Sequence, residues 1–344
     1  MTINAKTLFD PSLEKDNCGF GLIAQRNGKR SRKLVKKSIL GLTSMTHRGA
    51  IGADGKTGDG CGLLFDLNHS FFKFKVAGEL DVELPDFFAV AQLFHKNDID
   101  FYYSSIRKFL NSQDLDIAVT RSVPVNNEVL GKIARQNLPN ISQVFITSKN
   151  TNLNKERFEA CLLQARKFIE EKFDNDEEFY VCSMSTQTIV YKGLMLPSAI
   201  DEFYLDLKDK KFEAKICLFH QRFSTNTLPR WHLAQPFRLL AHNGEINAIR
   251  GNRNWAKARK SKFSTALIPE ITTFKNLVNE KGSDSSALDN MIEILVKGGI
   301  NTFRALRMVL PPAWQNIHMM DPEIKSFHEY NSMHMEAWDG PAGI

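Results

Sequence analysis

Four polar segments that lie far apart along the chain carry residue types able to act on a small polar substrate. The first is the run DNCG, in which Gly19 leaves space beside the thiol of Cys18. A cysteine near the start of a strand is most often a small buried hydrophobic residue. Cys18 is therefore a candidate nucleophile only if other segments support it.

The second segment is the polar cluster HQRFSTNT at residues 220–227, which ends an otherwise apolar strand. Arg222 in this cluster could hold a substrate carboxylate through two parallel charge-assisted hydrogen bonds. It could equally form an ion pair with a buried acid. The segment alone leaves both interpretations open.

The third and fourth segments are AHNGE at residues 241–245 and GSDS at residues 282–285. The Asn243 amide and the Gly244 N–H are neutral donors at a sharp turn, which suits a developing oxyanion, although Asn-Gly is also a common hairpin turn. Asp284 stands at a helix start, where its carboxylate could meet an ammonium group or act only as a cap.

The elements that must position these residues are indicated by hydrophobic periodicity and by turn residues. Val35, Ile39 and Leu42 have the spacing that lines one face of a helix. Residues 49–62 contain six glycines, which predicts a loop whose backbone closely approaches another group. Strands that come early and late with helices between them predict an α+β layered domain rather than a βαβ repeat. The predicted helices are 33–47, 100–111, 155–173 and 284–297, and the predicted strands are 18–25, 88–95, 116–124, 178–184, 187–192, 213–221 and 237–241.

Composition excludes several classes of protein. The chain has 344 residues with 42% hydrophobic content, and it has no apolar run long enough for a membrane span. Its first residues lack the layout of a secretory signal, so we expect a cytoplasmic protein. The 5 cysteines include no CxxC pair, which argues against a disulfide framework or a zinc site.

A basic run at residues 26–37 and a net charge of +6 raise the alternative of a nucleic-acid-binding module. The same run overlaps the apolar spacing of the first predicted helix, and no aromatic residues interleave it as stacking platforms. The solvated face of an amphipathic helix is the favoured interpretation.

Taken together and in this order, the segments resemble the glutaminase domain of glutamate synthases, amidotransferases with an amino-terminal cysteine nucleophile. The resemblance extends from about residue 8 to residue 344 and is weaker over roughly 95–175. Its most specific part is the block at residues 220–255. The segments that carry it are DNCGFGLIA, THRGAIGADGKTGDGCG, QTIVYKGLMLP, HQRFSTNTLPRWHLAQPFRLLAHNGEINAIRGNRNW, KGSDSSALDN and MHMEAWDGPAGI.

The resemblance implies a four-layer αββα sandwich of two mainly antiparallel sheets, the N-terminal nucleophile hydrolase type. It also implies a propeptide, residues 1–17, whose removal frees the α-amine of Cys18, and a glutaminase domain from 18 to 344. The apolar ending MHMEAWDGPAGI looks like the entrance to a strand, so we expect this domain to be truncated. Many relatives are expected to have alanine where Cys61 stands, and Cys161, Cys182 and Cys217 are interpreted as core.

The resemblance assigns roles residue by residue. Cys18 would attack the amide carbon of glutamine, and Asn243 with the Gly244 N–H would receive the oxyanion. Arg222 would bind the substrate α-carboxylate and Asp284 its α-ammonium group. Further residues expected to line or organise the pocket are Thr225, Asn226, His242 and Arg48.

The same resemblance places FMN and an iron–sulfur cluster in later domains, and no cofactor in this segment. Expected partners are L-glutamine, the later synthase domains, and either a small NADPH-oxidising subunit or ferredoxin, with no nucleic acid and no membrane. The electron donor (NADPH, NADH or ferredoxin) is left open. A glutaminase domain that delivers ammonia to another acceptor is the alternative.

Overall fold

The computed structural model describes residues 19–150, 153–224 and 228–344. Three of the candidate site residues, Cys18, Thr225 and Asn226, lie outside the described residues, as does the expected propeptide, residues 1–17. The other candidates lie within them.

The strands form two four-stranded sheets and one short ladder, and every pairing is antiparallel. The strand order is β1-β8-β2-β7 in the first sheet and β4-β5-β3-β6 in the second, while β9 pairs with β10. The bounds are β1 Phe20–Ala24, β2 Cys61–Asp66, β3 Ala89–His95, β4 Leu115–Ser122, β5 Asn140–Ser148, β6 Tyr180–Ser185, β7 Thr188–Gly193, β8 Ile216–Gln221, β9 Asn243–Gly244 and β10 Ala342–Gly343.

The two sheets face each other, and β3 shows why its sequence is apolar throughout. All seven of its residues are buried. Val90 and Phe94 belong to the core between the sheets, whereas Ala91 and Leu93 belong to the core under the helices of the second sheet. Because alternate side chains of a strand point to opposite faces, a strand covered on both faces has no polar face.

Helices cover the outer faces. Helix α1 packs on the first sheet, and α3 and α5 pack on the second, which gives the layers α, β, β and α. Helices α7, α8 and α9 surround a further core that includes Trp338. The bounds are α1 Arg32–Ser44, α2 His69–Leu80, α3 Ile99–Asn111, α4 Lys132–Gln136, α5 Lys155–Lys172, α6 Ile200–Phe203, α7 Ile249–Arg259, α8 Asp284–Lys297, α9 Thr302–Val309 and α10 Pro322–Ser332. The expected α+β fold with an αββα sandwich is confirmed.

Helix α1 is amphipathic, as its spacing predicts. Ser31 caps it by accepting a hydrogen bond from the Leu34 N–H, and Val35 and Leu42 are buried. The lysine side chains of the basic run point to solvent, at Lys33, Lys36 and Lys37. The helix ends three residues before the predicted boundary.

The predicted strand at 237–241 is wrong. This segment is irregular, with a turn closed by the Phe237 N–H and the Leu240 carbonyl oxygen at 2.9 Å. The buried carboxylate of Asp289 on α8 accepts from the N–H groups of Leu239 and Leu240, at 2.9 and 3.3 Å. A side chain therefore satisfies the backbone donors that a neighbouring strand would have taken.

Among the described residues, no helix is both long enough and apolar enough to cross a membrane.

Candidate active site

The first strand pair brings the amino-terminal end of β1 to the carboxyl end of β8. Phe20 stands opposite His220, and the Gln221 N–H donates to the Gly19 carbonyl oxygen at 2.6 Å. A Cβ atom on Gly19 would lie 2.6 Å from the Gln221 carbonyl oxygen and 3.6 Å from Oδ1 of Asn243. Gly19, the residue joined to Cys18 in the chain, therefore lies directly beside Asn243, in a gap that admits only glycine.

Arg222 follows β8 at the same end of the sheet. Its N–H donates to the Gly60 carbonyl oxygen at 2.8 Å, and its side chain is 8% exposed. Burial lowers the pKa of the Arg222 guanidinium, and the carboxylates of Asp59 and Asp284 offset part of that effect. A buried positive charge and the Asp284 carboxylate thus lie within electrostatic reach of each other.

The glycine-dense loop approaches this end of β8, as predicted. A Cβ atom on Gly49 would overlap the side chain of Gln221 and lie 2.8 Å from the Arg222 carbonyl oxygen. Arg48 ends the short 3-10 turn Thr46–Arg48 just before this contact. The loop therefore brings a second guanidinium-bearing residue next to the Arg222 backbone.

Asn243 and Gly244 do not form a hairpin turn, so the simplest interpretation of Asn-Gly is wrong here. They form β9, which pairs with β10 about a hundred residues later: Gly343 is opposite Asn243 and Ala342 is opposite Gly244. Gly244 has φ +141°, and a Cβ atom there would overlap the Pro341 carbonyl oxygen. Glycine is needed at this position both for its backbone conformation and for the close approach.

The start of α8 is tied to this segment by side chains. Ser283, rather than Asp284, is the N-cap of the helix, because its Oγ accepts from the Ser286 N–H at 3.1 Å. Oδ2 of Asp284 accepts from the Ile246 N–H at 2.8 Å. The Ser285 hydroxyl links Nδ1 of His242, at 2.7 Å, to Oδ1 of Asp284, at 3.3 Å. Asp284 and His242 are therefore brought together by one network.

Sequence reasoning missed Gln235. Its side-chain amide makes two hydrogen bonds to the backbone of His242: Nε2 donates to the carbonyl oxygen at 3.0 Å, and Oε1 accepts from the N–H at 2.8 Å. The Gln235 amide therefore replaces the hydrogen bonds that a neighbouring strand would make, and it fixes the backbone of His242, the residue before Asn243. The signal in the sequence is an amide residue within the largely apolar run LAQPFRLLA, and the structure buries that residue.

The histidines near the site are held neutral. Burial lowers the pKa of His220 to about 3 and also lowers the pKa of His242, where the Asp284 carboxylate acts in the opposite direction. Neutral imidazole at His242 can share a hydrogen bond with the Ser285 hydroxyl without adding charge beside Arg222.

The described cysteines are core residues, as predicted for Cys161, Cys182 and Cys217 and found for Cys61 as well. Burial raises the pKa of the Cys61 thiol, which lies 3.3 Å from the Met195 carbonyl oxygen and has no exposed surface. Cys161, Cys182 and Cys217 are also buried and free. Within residues 19–150, 153–224 and 228–344, no group of His, Cys, Asp and Glu side chains is arranged to hold a metal ion.

Two facing antiparallel sheets with helices outside form the αββα sandwich of the N-terminal nucleophile hydrolase type of fold. The family model for class-II glutamine amidotransferases matches residues 18–344. The chain belongs to this family.

The chain is similar to parts of glutamate synthases. It is 37% identical to the NADH glutamate synthase of Saccharomyces cerevisiae, 38% to the NADPH glutamate synthase large chain of Bacillus subtilis, and 38% to the ferredoxin-dependent glutamate synthase of Pyropia yezoensis. These matches cover 97%, 99% and 98% of the chain. The chain spans only 16%, 23% and 23% of the respective relatives.

Proposed function

We propose that the chain hydrolyses L-glutamine to glutamate and ammonia through a thioester on Cys18. The observation that carries the proposal is the convergence of Gly19, Arg222, Asn243 and Asp284, which come from four separate parts of the sequence. These residues place a guanidinium, a carboxylate and neutral hydrogen-bond donors beside the residue that follows Cys18. The two charges match the α-carboxylate and α-ammonium group of glutamine, and the donors match its side-chain amide oxygen.

Residues 1–17 are proposed to be a propeptide and residues 18–344 the glutaminase domain. The family match begins at residue 18, which supports this division. Removal of the propeptide would free an α-amine, whose reference pKa of about 7.7–8.0 leaves a usable fraction unprotonated near neutral pH. That amine would accept the thiol proton, so the site needs no histidine base. The neutral, hydrogen-bonded state of His242 is consistent with this role for the amine.

In the proposed reaction, the Cys18 thiolate adds to the side-chain amide carbon of glutamine. The oxyanion would receive hydrogen bonds from the Asn243 amide and the Gly244 N–H. Collapse of the tetrahedral intermediate breaks the C–N bond, and the leaving nitrogen takes back the proton held by the α-amine of Cys18 and departs as ammonia. Water then hydrolyses the thioester, which releases glutamate and regenerates the thiol.

Substrate binding is assigned to the two opposite charges of the site. The buried Arg222 guanidinium would bind the α-carboxylate and Asp284 the α-ammonium group. His242 contacts the Asp284 network and Arg48 flanks the Arg222 backbone, so both would organise the pocket. Thr225 and Asn226, which follow Arg222 in the sequence, are proposed to line it.

The ammonia is proposed to aminate 2-oxoglutarate in later synthase domains that carry FMN and an iron–sulfur cluster. The support is the similarity to glutamate synthases, whose names include NADH, NADPH and ferredoxin forms. A small pyridine-nucleotide-oxidising subunit or ferredoxin would supply the electrons. We infer a cytoplasmic protein, in which the buried free cysteines remain reduced.

The test combines amino-terminal sequencing with labelling by an electrophilic diazoketone analogue of glutamine. We expect the mature chain to begin at Cys18 and the label to lie on that sulfur. Cys18→Ser should lose glutamine hydrolysis and labelling, and its propeptide should persist if the chain cleaves itself. Cys61→Ser is the matched control and should still be labelled. A chain that hydrolyses glutamine with its propeptide intact would refute the proposal.

A further inference from the structure

A segment far from the candidate residues in sequence lies against the two oxyanion donors. Residues 339–343, here called the strap, run antiparallel to residues 243–248. The Glu245 N–H donates to the Pro341 carbonyl oxygen at 2.9 Å, and the Ala248 N–H donates to the Asp339 carbonyl oxygen at 3.2 Å. The strap is therefore bonded to the segment that carries Asn243 and Gly244.

The strap is held firmly where it enters the site. Trp338 is 1% exposed in the core formed by α7, α8 and α9, and its backbone N–H donates to the Val309 carbonyl oxygen at 2.8 Å. The side chain of Asn252 on α7 donates to the Ala337 carbonyl oxygen at 3.0 Å. A backbone fixed at these points can impose its position on a neighbouring strand.

The fit between the two backbones requires glycine on both sides. Gly340 has φ +150°, and a Cβ atom there would overlap the Glu245 carbonyl oxygen. Gly244 has φ +141°, and a Cβ atom there would overlap the Pro341 carbonyl oxygen. Such reciprocal contact leaves little freedom for β9 to move relative to the strap.

The register decides which way each N–H points. Hydrogen-bonded and non-hydrogen-bonded pairs alternate along an antiparallel ladder. Because the Glu245 N–H points to the strap, the next hydrogen-bonded pair is Asn243 with Gly343, and the Gly244 N–H must point to the opposite side. Pairing with the strap therefore directs the Gly244 N–H, one proposed donor, away from the strap. The same pairing fixes the backbone of Asn243, which carries the other proposed donor.

We propose that the strap is a positioning element for the oxyanion site, with Gly340 and Gly343 as positioning residues. This inference rests on the proposed function. It predicts that loosening the strap will reduce transition-state stabilisation while the charges that bind the amino-acid part of the substrate keep their places.

The experiment uses two proline variants of the full chain. Gly343→Pro deletes the N–H that the register directs to the Asn243 carbonyl oxygen, whereas Ala342→Pro deletes an N–H that points away from β9. Both residues lie away from the buried core, so the fold should survive. Removal of one oxyanion donor lowers kcat by about 10²–10³-fold. Gly343→Pro should displace the donors rather than remove them, so we expect it to lower kcat for glutamine by roughly tenfold or more. KM for glutamine and the inhibition constant for glutamate should stay within about threefold of the parent values.

Ala342→Pro should keep kcat within about twofold of the parent. Gly340→Ala should behave as Gly343→Pro does, and Gly299→Ala is its control, because Gly299 also has positive φ, +102°, but lies in a distant helix connection. Equal kcat values for Gly343→Pro and Ala342→Pro would overturn the inference, as would a rise in KM alone. Failure of the proposed function would be distinct, since the parent chain would then neither hydrolyse glutamine nor take the label on Cys18.

Discussion

Replacement of Arg222 by alanine should raise KM for glutamine far more than it lowers kcat. A hydrogen bond to a charged group contributes about 1.5–3 kcal/mol when it is shielded from water, against about 0–1 kcal/mol for an exposed ion pair. The Arg222 side chain is 8% exposed, so the larger range applies. Two such bonds to one carboxylate give about 3–6 kcal/mol, which corresponds to a rise in KM of roughly 10²–10⁴-fold.

Arg222→Lys keeps the charge but loses the planar fork, so an intermediate rise of about tenfold is expected. The control is Arg107→Ala, because Arg107 lies on α3 with 49% of its side chain exposed and pairs with Asp116. That variant should match the parent. Circular dichroism of each variant checks that the fold is intact.

The decisive assay compares glutamine with 4-aminobutanamide, which is glutamine without its α-carboxylate. The parent should lose about 10²–10⁴-fold in kcat/KM on the truncated substrate, and Arg222→Ala should lose little more on it. The Arg222 guanidinium donates a long hydrogen bond, 3.5 Å, to the carbonyl oxygen of Asp59 in the glycine-dense loop. If Arg222→Ala impaired both substrates equally, its role would be to hold that loop, and the assignment to the carboxylate would be wrong.

Two further predictions concern buried groups. Burial lowers the pKa of His220 to about 3, and an unfolded histidine titrates near 6.5, so the unfolded chain binds the extra proton between these pH values. The free energy of unfolding should therefore fall as pH drops from about 6.5, and His220 should contribute up to about 1.4 kcal/mol per pH unit to this fall. Urea unfolding at pH 7, 6 and 5 should show a shallower decline for His220→Gln than for His318→Gln, the control at an exposed site. Cys61→Ala should leave kcat within about twofold, because the buried Cys61 thiol has no exposed surface, and thiol titration of the native Cys18→Ser variant should show Cys61 unreactive. Rapid modification of Cys61 in the folded chain would contradict this.

Local sequence determined most of the elements. Apolar content located β3, helical spacing located α5, and capping residues with terminal glycines located α8, each to within one or two residues. Capping residues in the run GSDS fixed the start of α8 for a local reason, the need of its first N–H groups for acceptors. The candidate site residues were proposed by resemblance, because no single segment distinguishes a catalytic group from a cap or a turn.

Only the tertiary structure decided how the segments meet. The strand expected at 237–241 is absent because the Asp289 carboxylate, fifty residues away, takes its backbone donors. Asn243 and Gly244 form a strand rather than a hairpin because Ala342 and Gly343 pair with them. Propensity acts over neighbouring residues, whereas these hydrogen bonds form between segments that the fold alone brings together, and a sequence pattern carries no information about that partner.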